Sequence, residues 1–357
     1  MFKQKILLLL ILSYFLGASP VFALAQEPEA SFERAYVQNV IEINNNEDKY
    51  PTQKAEVRLI TGPNAKSIIS IEHELVAERE DLRISSGQTI VVQSIKRLDG
   101  TQMYYFQEVY RLNSLLIIFL FFLILTAYIG KKKGLMAIAG LAISLGIIIF
   151  GMFPLFIRGW NVFGVSILGT FLIACSTIFV AHGFSRRTTV ALVATCSTLL
   201  FAILLAAISV KITSLFGLGS EESVFLWMDP SMQIDPKGLL LAGIIIGALG
   251  VLDDITTTQV AAIDEVQKAN PSYGFKKLYS AGFSVGHEHI ASMINTLALA
   301  YIGASLPMFL LLFLDTGVPL WVTINSAFIV EEIIRTLVGS AALLLAVPFS
   351  TSFAAYV

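Results

Sequence analysis

The sequence predicts a polytopic α-helical membrane protein with about seven spans, or eight with a re-entrant C-terminal segment, and an N-terminal exported small β domain. Three observations predict this class. Of 357 residues, 55% are hydrophobic and only 14% are charged, whereas soluble domains are about 25% charged. Long apolar runs recur from residue 112 onward, and about 20 such residues cross the hydrocarbon core. The part before them is polar and follows an export-signal pattern.

The same composition excludes several functional classes. A net charge of −2 provides no basic field for nucleic acid. The two cysteines, Cys175 and Cys196, lie in apolar runs, which excludes a disulfide scaffold and a cysteine-rich zinc module. No nucleophile with an adjacent base is evident. We therefore expect neither an enzyme nor a cofactor, and the lipid bilayer is the first partner.

Residues 1–25 are predicted to be a signal peptide. Lys3 and Lys5 precede an apolar stretch of about 11 residues, and Ala23-Leu24-Ala25 follows as a cleavage site. The alternative is an uncleaved signal anchor. In both cases the next segment is exported.

Residues 26–110 are predicted to form an extracytoplasmic β-rich domain. Short alternating runs rich in β-branched residues lie between turn signals such as Gly62-Pro63-Asn64 and Ser86-Gly87. This pattern indicates a small barrel or sandwich of roughly five strands.

Residues 111–357 are predicted to form the transmembrane helical domain. With the β domain outside, eight loop lysines and arginines fall inside and three outside, so the positive-inside rule supports the same orientation. The C-terminal segment is ambiguous, and we favour an interfacial or half-inserted 318–328 before one span. The seven predicted spans are 112–129, 135–157, 161–181, 189–210, 238–257, 290–314 and 329–350.

The fifth span contains the first candidate site. Its apolar part has only 15 residues, about 22 Å as a helix, so the following Asp253, Asp254 and Thr257 are predicted to lie within membrane depth. We expect this span to be discontinuous or polar-ended near Gly250 to Thr258. Polar groups at that depth usually face a protein interior and mark a functional path. The alternative is a helix leaving the membrane with a solvated acidic face.

The sixth span adds three polar residues on one face. Glu288, Ser292 and Asn295 fall within about 60° of one another on a helix. Together with the aspartates they offer hard oxygen ligands, which suit a proton, Na⁺, Mg²⁺, Ca²⁺ or Mn²⁺. We expect them to converge with Asp253 or Asp254 and Thr257 on one cavity in the cytoplasmic half of the membrane, and the identity of any metal is unknown.

Arg335 marks a further candidate in the last span. It can pair with Glu331 at i+4 and with Glu332 at i+3. The three residues predict an ion pair near a helix start, or a gate.

Three blocks of the chain resemble the YibE/F-like family of multi-span bacterial membrane proteins. They are GALGVLDDITTTQ (247–259), GHEHIASMINTLALAYIGASLP (286–307) and EEIIRTLVGSAALLLAVPFST (331–351). His287 and Glu288 stand where members often have arginine and aspartate. The resemblance extends from about residue 30 onward. It implies a bacterial cytoplasmic membrane protein and supports the same candidate residues, but it implies no substrate.

Two functions follow as expectations. The first is a transporter or permease for a small cation or an ion-coupled solute, because polar residues enter the membrane. The second is a non-transporting anchor, assembly protein or sensor whose exported β domain binds an envelope protein.

Overall fold

The computed structural model describes residues 30–43, 52–75, 83–96, 101–314 and 317–357. The predicted signal peptide, residues 1–25, lies outside the described residues. The described residues divide into two compact units, one up to Tyr128 and the other from Ile129 to Val357. Each unit is described by itself.

The first unit contains a five-stranded antiparallel sheet in the order β3-β2-β1-β4-β5. β2 alternates buried and exposed positions along its length, which is the period-2 pattern that the sequence predicted. The two edges approach each other, since the His73 ring of β3 lies 4.6 Å from the Phe106 ring of β5. The sheet is therefore a small half-barrel. Its strands are β1 (Ala30–Ile43), β2 (Thr52–Leu59), β3 (Ile68–Glu74), β4 (Thr89–Lys96) and β5 (Gln102–Val109).

The half-barrel interior is mostly apolar, and its buried polar side chains are Glu33, Gln53 and Ser94. Ala35, Val37 and Ala55 are among its fully buried side chains. Glu33 of β1 is only 2% exposed, and neither of its carboxylate oxygens has a hydrogen-bond partner among the described residues. The carboxyl group occupies the space where a Cβ of Gly62 would lie. Gly62 also has φ +91°, a conformation that favours glycine.

The remaining part of the chain is helical. Its helices are α1 (Leu112–Ile157), α2 (Val162–His182), α3 (Arg186–Ile212), α4 (Glu221–Met228), α5 (Pro236–Ala269), α6 (Phe275–Ala304), α7 (Leu306–Leu314), α8 (Leu320–Ile324) and α9 (Ala327–Tyr356). α5 and α9 are the central helices, because α5 packs against α2, α3, α6 and α9, and α9 packs against α3 and α6 as well.

Five of these helices are long and apolar enough to cross a membrane, or six if α6 and α7, bent by 66°, form one span. The predicted number of seven spans is therefore not confirmed. α1 contains two of them: at about 69 Å it is roughly twice the hydrocarbon thickness, and its backbone is non-helical at Lys131. The C-terminal segment contains the short α8 followed by one long helix, α9.

Helix packing relies on small residues. A Cβ at Gly282 or Gly286 of α6 would collide with Ile263 of α5 or Val347 of α9. α6 therefore approaches both central helices closely along its buried face.

Candidate functional site

α5 is the helix that positions the predicted aspartates. It continues without a break from Pro236 to Ala269. Of the two forms predicted near Gly250 to Thr258, the discontinuous one is therefore wrong, and a polar end to the span stays a prediction. Asp254 is exposed. Asp253 is partly buried, and its Oδ1 atom has no hydrogen-bond partner within the described part of the chain.

Two threonines lie close to Asp253. The Thr177 side chain of α2 is its polar neighbour from another helix, although the Thr177 hydroxyl donates to the Ile173 carbonyl of its own helix at 2.9 Å. Thr257, one turn further along α5, donates its hydroxyl to the Asp253 backbone carbonyl at 2.9 Å. The predicted Thr257 side chain thus satisfies the backbone of its own helix.

The structure turns the polar face of α6 away from α5. Gly286 of α6 contacts Gln259 and Val347. Counting 100° per residue from Gly286, Glu288, Ser292 and Asn295 lie roughly 180° to 240° around the helix. All three are exposed. Within the described residues they do not share a cavity with Asp253, because the glycines of α6 occupy the face that packs on α5. A role for them in ion binding stays a prediction.

A buried network of uncharged polar groups lies on the inner face of α5. The hydroxyl oxygens of Thr195 on α3 and Thr256 on α5 are 2.6 Å apart. The Gln259 amide donates to the Gly282 carbonyl of α6 at 2.6 Å and to the Thr351 hydroxyl of α9 at 2.8 Å. The sequence alone did not identify the partners of Thr256 and Gln259, which are Thr195, Gly282 and Thr351. Thr256 is next to Asp253 on the helix surface and Gln259 is next to Thr256, because each follows at three-residue spacing, while Gln259 lies about 120° around the helix from Asp253.

Glu331, Glu332 and Arg335 form a buried ionic cluster at the start of α9. Glu331 and Glu332 are only 7% and 8% exposed. The predicted pair between Arg335 and Glu332 is present. Glu331 instead accepts a hydrogen bond from the Gly219 amide at 3.1 Å. The Arg335 Nε atom is buried and has no partner among the described residues.

One glycine of α5 makes room for a side chain beside this cluster. A Cβ at Gly247 would collide with the Tyr301 hydroxyl of α6, whereas one at Gly243 would lie in ordinary contact, 3.8 Å from Arg335 Nη2. The sequence indicated these glycines only as a packing motif. The Tyr301 hydroxyl therefore lies against bare backbone of α5, and Arg335 faces the same helix at Gly243.

The charges of the cluster do not balance. Glu331, Glu332 and Arg335 carry one excess negative charge if all are ionised. A charge in low dielectric is costly unless it is paired, so the cluster favours one additional proton or cation. No group of three or more His, Cys, Asp or Glu side chains able to hold a metal ion occurs in the described ranges.

The C-terminal end of α5, far from the cluster of Glu331, Glu332 and Arg335, lies beside a cleft lined by two arginines. Arg186 and Arg187 of α3 line this cleft together with Asp264 of α5. Lys268 contacts Asp264 at 2.8 Å, and Arg187 lies 3.9 Å from it. Asp264 is thus already paired, unlike Asp253.

A family model described as YibE/F-like protein matches residues 117–357. Comparison with curated proteins and with solved structures gave no match. The match includes every candidate residue named above and leaves out the β half-barrel, to which the resemblance had been expected to extend.

Proposed function

We propose that this chain, which belongs to the YibE/F-like family, is a transporter that moves protons or a small cation along α5, alone or coupled to a solute. One observation carries the proposal: the central helix is flanked at two levels by buried or partly buried carboxyl groups whose charge is not fully compensated. Asp253 is the first, and the cluster of Glu331, Glu332 and Arg335 is the second.

The two levels are close enough for a stepwise path. Gly243, which faces Arg335, precedes Asp253 by ten residues, or about 15 Å along the helix. Between Gly247 and Asp253 the buried residues of α5 are apolar, namely Ala248, Leu249 and Leu252. This stretch of about 9 Å is a short apolar barrier between two polar regions.

The chemistry of the groups favours a hard ligand. Carboxylate oxygens are present in both regions, with threonine hydroxyls beside Asp253 and the Tyr301 phenol beside the cluster of Glu331, Glu332 and Arg335. Oxygen ligands suit protons, Na⁺, Mg²⁺, Ca²⁺ and Mn²⁺. A proton satisfies the charge imbalance with the least space, so we expect proton movement first.

The test is flux through proteoliposomes that contain the purified full chain. A pH dye reports proton flux, and ion-selective dyes report each cation, under an imposed gradient. We expect flux in wild type and a loss of tenfold or more in Asp253→Asn and Glu331→Gln, which keep shape and remove charge. Asp254→Asn is the matched control, because it removes a neighbouring but exposed carboxylate, and it should stay within twofold of wild type. Equal flux in all variants, or none in wild type for any ion, rejects the proposal.

The alternative function is an anchor or assembly protein. Its support is a set of exposed aromatic side chains on the half-barrel, including Phe32, Tyr36 and Tyr105. Phe32 and Tyr105 both align with Gln93 of β4, so they lie on one surface of the sheet, on the two strands that flank β4. In that case the double substitution Phe32→Ser with Tyr105→Ser should abolish binding of the envelope protein and leave ion flux unchanged.

We further propose that the protein lies in a bacterial cytoplasmic membrane with the half-barrel outside. The positive-inside distribution of loop lysines and arginines supports this orientation.

A further inference from the structure

The segment between α3 and α5 covers part of the ionic cluster. It comprises residues 213–235 and includes the short helix α4. Its Gly219 amide donates to the Glu331 carboxylate at 3.1 Å, and a Cβ at Gly219 would lie 2.7 Å from the same group. The backbone of this segment therefore lies directly on a residue that is only 7% exposed.

Two contacts fix the segment next to the start of α5. Leu215 is buried with side chains of α3, α5 and α9 in one apolar cluster. Gly217 has φ +77°, and a Cβ there would lie 2.1 Å from the Pro236 carbonyl oxygen, so this approach requires glycine. Gly219 is thus held at the end of the helix bundle where α3 ends and α5 begins.

α4 exposes apolar side chains at one end. None of its eight residues is buried. Glu221 and Glu222 lie in its first turn, whereas Phe225, Trp227 and Met228 near its C-terminus are 73%, 57% and 68% exposed. Such apolar surface is unfavourable in water, and a tryptophan beside apolar residues is typical of the lipid interface.

The position of α4 favours lipid as the partner of these side chains. The helices on either side of it, α3 and α5, are both long and apolar enough to cross a membrane. Only eight residues lie between α3 and α4, and seven between α4 and α5. These short connections keep α4 at the membrane surface where the two helices meet. Its acidic first turn can remain in water there while its aromatic end enters the interface.

We propose that α4 lies in the outer lipid interface and holds the Gly219 amide on Glu331, so that it controls access to this carboxyl group from outside. Ser220 caps the start of α4 through the Ser223 amide and follows Gly219 directly, so a movement of α4 moves that amide. This proposal rests on the function proposed above and adds an outer gate to it. A proton or cation that arrives from outside has to displace Gly219 to reach Glu331.

Chemical modification measures access to Glu331 without relying on transport. The purified full chain in lipid nanodiscs is treated with a water-soluble carbodiimide and an amine, and peptide mass spectrometry gives the modified fraction of Glu331. We expect slow modification in wild type. Phe225→Ser with Trp227→Ser should raise the rate roughly tenfold, because reaction of a covered group follows the population of its open form. Exposed Glu221 is the internal standard and should react equally in both chains.

Two matched double variants separate the interface contact from a general loss of apolar surface. Phe225→Leu with Trp227→Phe keeps the side chains apolar and should leave Glu331 as protected as in wild type. Ile157→Ser with Trp160→Ser removes exposed apolar residues from another segment and should also preserve protection. Equal modification of Glu331 in both serine variants overturns the proposal.

Gly219→Ala exposes Glu331 by a different route. Its methyl group would collide with the carboxylate, so modification of Glu331 should increase even though α4 is unchanged. Gly303→Ala is the control, because nothing lies within 4 Å of that position. Equal rates for Gly219→Ala and Gly303→Ala overturn the role of the Gly219 amide.

The location of α4 has its own measurement. In a chain with Trp160→Phe and Trp321→Phe, Trp227 is the remaining tryptophan. Lipids brominated near the headgroup should quench its fluorescence strongly, and aqueous iodide should quench it weakly. The reverse result would place α4 in water and overturn lipid as its partner. If the expected protection and quenching are found in a chain that moves no ion, the transport function fails while the lipid-held cover of Glu331 stands.

Discussion

The hydroxyl of Tyr301 on α6 lies directly against Gly247 on α5, in the space that a Cβ would occupy. The hydroxyl is also close to the charged pair of Arg335 and Glu332. The glycine thus allows a phenol to reach the ionic cluster between three helices.

Gly247→Ala should lower the free energy of unfolding by about 1–3 kcal/mol, because the added methyl group overpacks this contact. Tyr301→Phe in the same chain should recover part of the loss, since it removes the colliding oxygen. Gly250→Ala is the control, because nothing lies within 4 Å of that position. Unfolding in mixed micelles measures the three values. Equal losses for Gly247→Ala and Gly250→Ala would contradict the contact.

Arg335→Met should destabilise the folded chain by about 3 kcal/mol, because it leaves Glu332 buried without its counter-charge. Glu332→Gln combined with Arg335→Met should be closer to wild type, since both charges are then absent. Lys268→Met is the control: its pairs with Asp264 and Glu265 are at the surface, where an ion pair contributes about 0–1 kcal/mol. The same unfolding assay compares them, and a double variant no better than Arg335→Met would contradict the buried pair.

Gln259→Leu should cost about 1–2 kcal/mol, because the bonds that tie α5 to α6 and α9 are lost. Thr351→Val removes only one of them and should cost less. Gln267→Leu, on the exposed side of the same helix, should be close to neutral. If Gln259→Leu unfolds no more readily than Gln267→Leu, the network contributes nothing to stability.

Glu33 should make the half-barrel less stable as pH rises. Burial raises the pKa of Glu33 above its ordinary value of 4.5, so the folded domain binds more protons than the unfolded one between these two values. The stabilisation is complete below pH 4.5 and is lost as pH increases through the raised pKa. Hydrogen exchange of the β1–β4 amides in the full chain, at several pH values, should show this decline in wild type. Glu33→Gln should remove it, and parallel pH profiles for the two chains would disprove the effect.

Ser85→Cys should react with a membrane-impermeant thiol reagent in intact cells. Ser85 is exposed on the half-barrel, and the proposed orientation places that domain outside. The background lacks Cys175 and Cys196, and a cysteine at Lys132 serves as the control that should react only after permeabilisation. The reverse result would invert the orientation and with it the direction of the proposed path.

Hydrophobic period and length predicted most of the fold. The alternation in β2 and the long apolar runs depend on local sequence, so five strands and the main helices followed from them. Helix rotation depends on partners that lie far away in the chain. Asp253 and Asp254 are adjacent in the sequence, yet α2 and its Thr177 make one partly buried while the other is exposed.

The same limitation explains why the sequence did not predict which way the polar face of α6 points. Glu288, Ser292 and Asn295 share one face, as the sequence predicted, but the glycines at 282 and 286 determine which face packs on α5. The amide of Gln259 was visible beside the aspartates, yet its partners Gly282 and Thr351 lie 23 and 92 residues away. A local sequence pattern predicts where a polar group lies on its helix, but it does not identify a partner that is distant in the chain.

The pair of Glu332 and Arg335 has a consequence for biogenesis. Because the two residues are one turn apart on α9, they can neutralise each other while that helix is still leaving the translocon, which lowers the cost of inserting an arginine. Their other contacts, at Gly219, Gly243 and Tyr301, belong to segments synthesised earlier. α9 therefore brings its own charge compensation into the membrane, and it can dock only after the earlier segments that it contacts are in place.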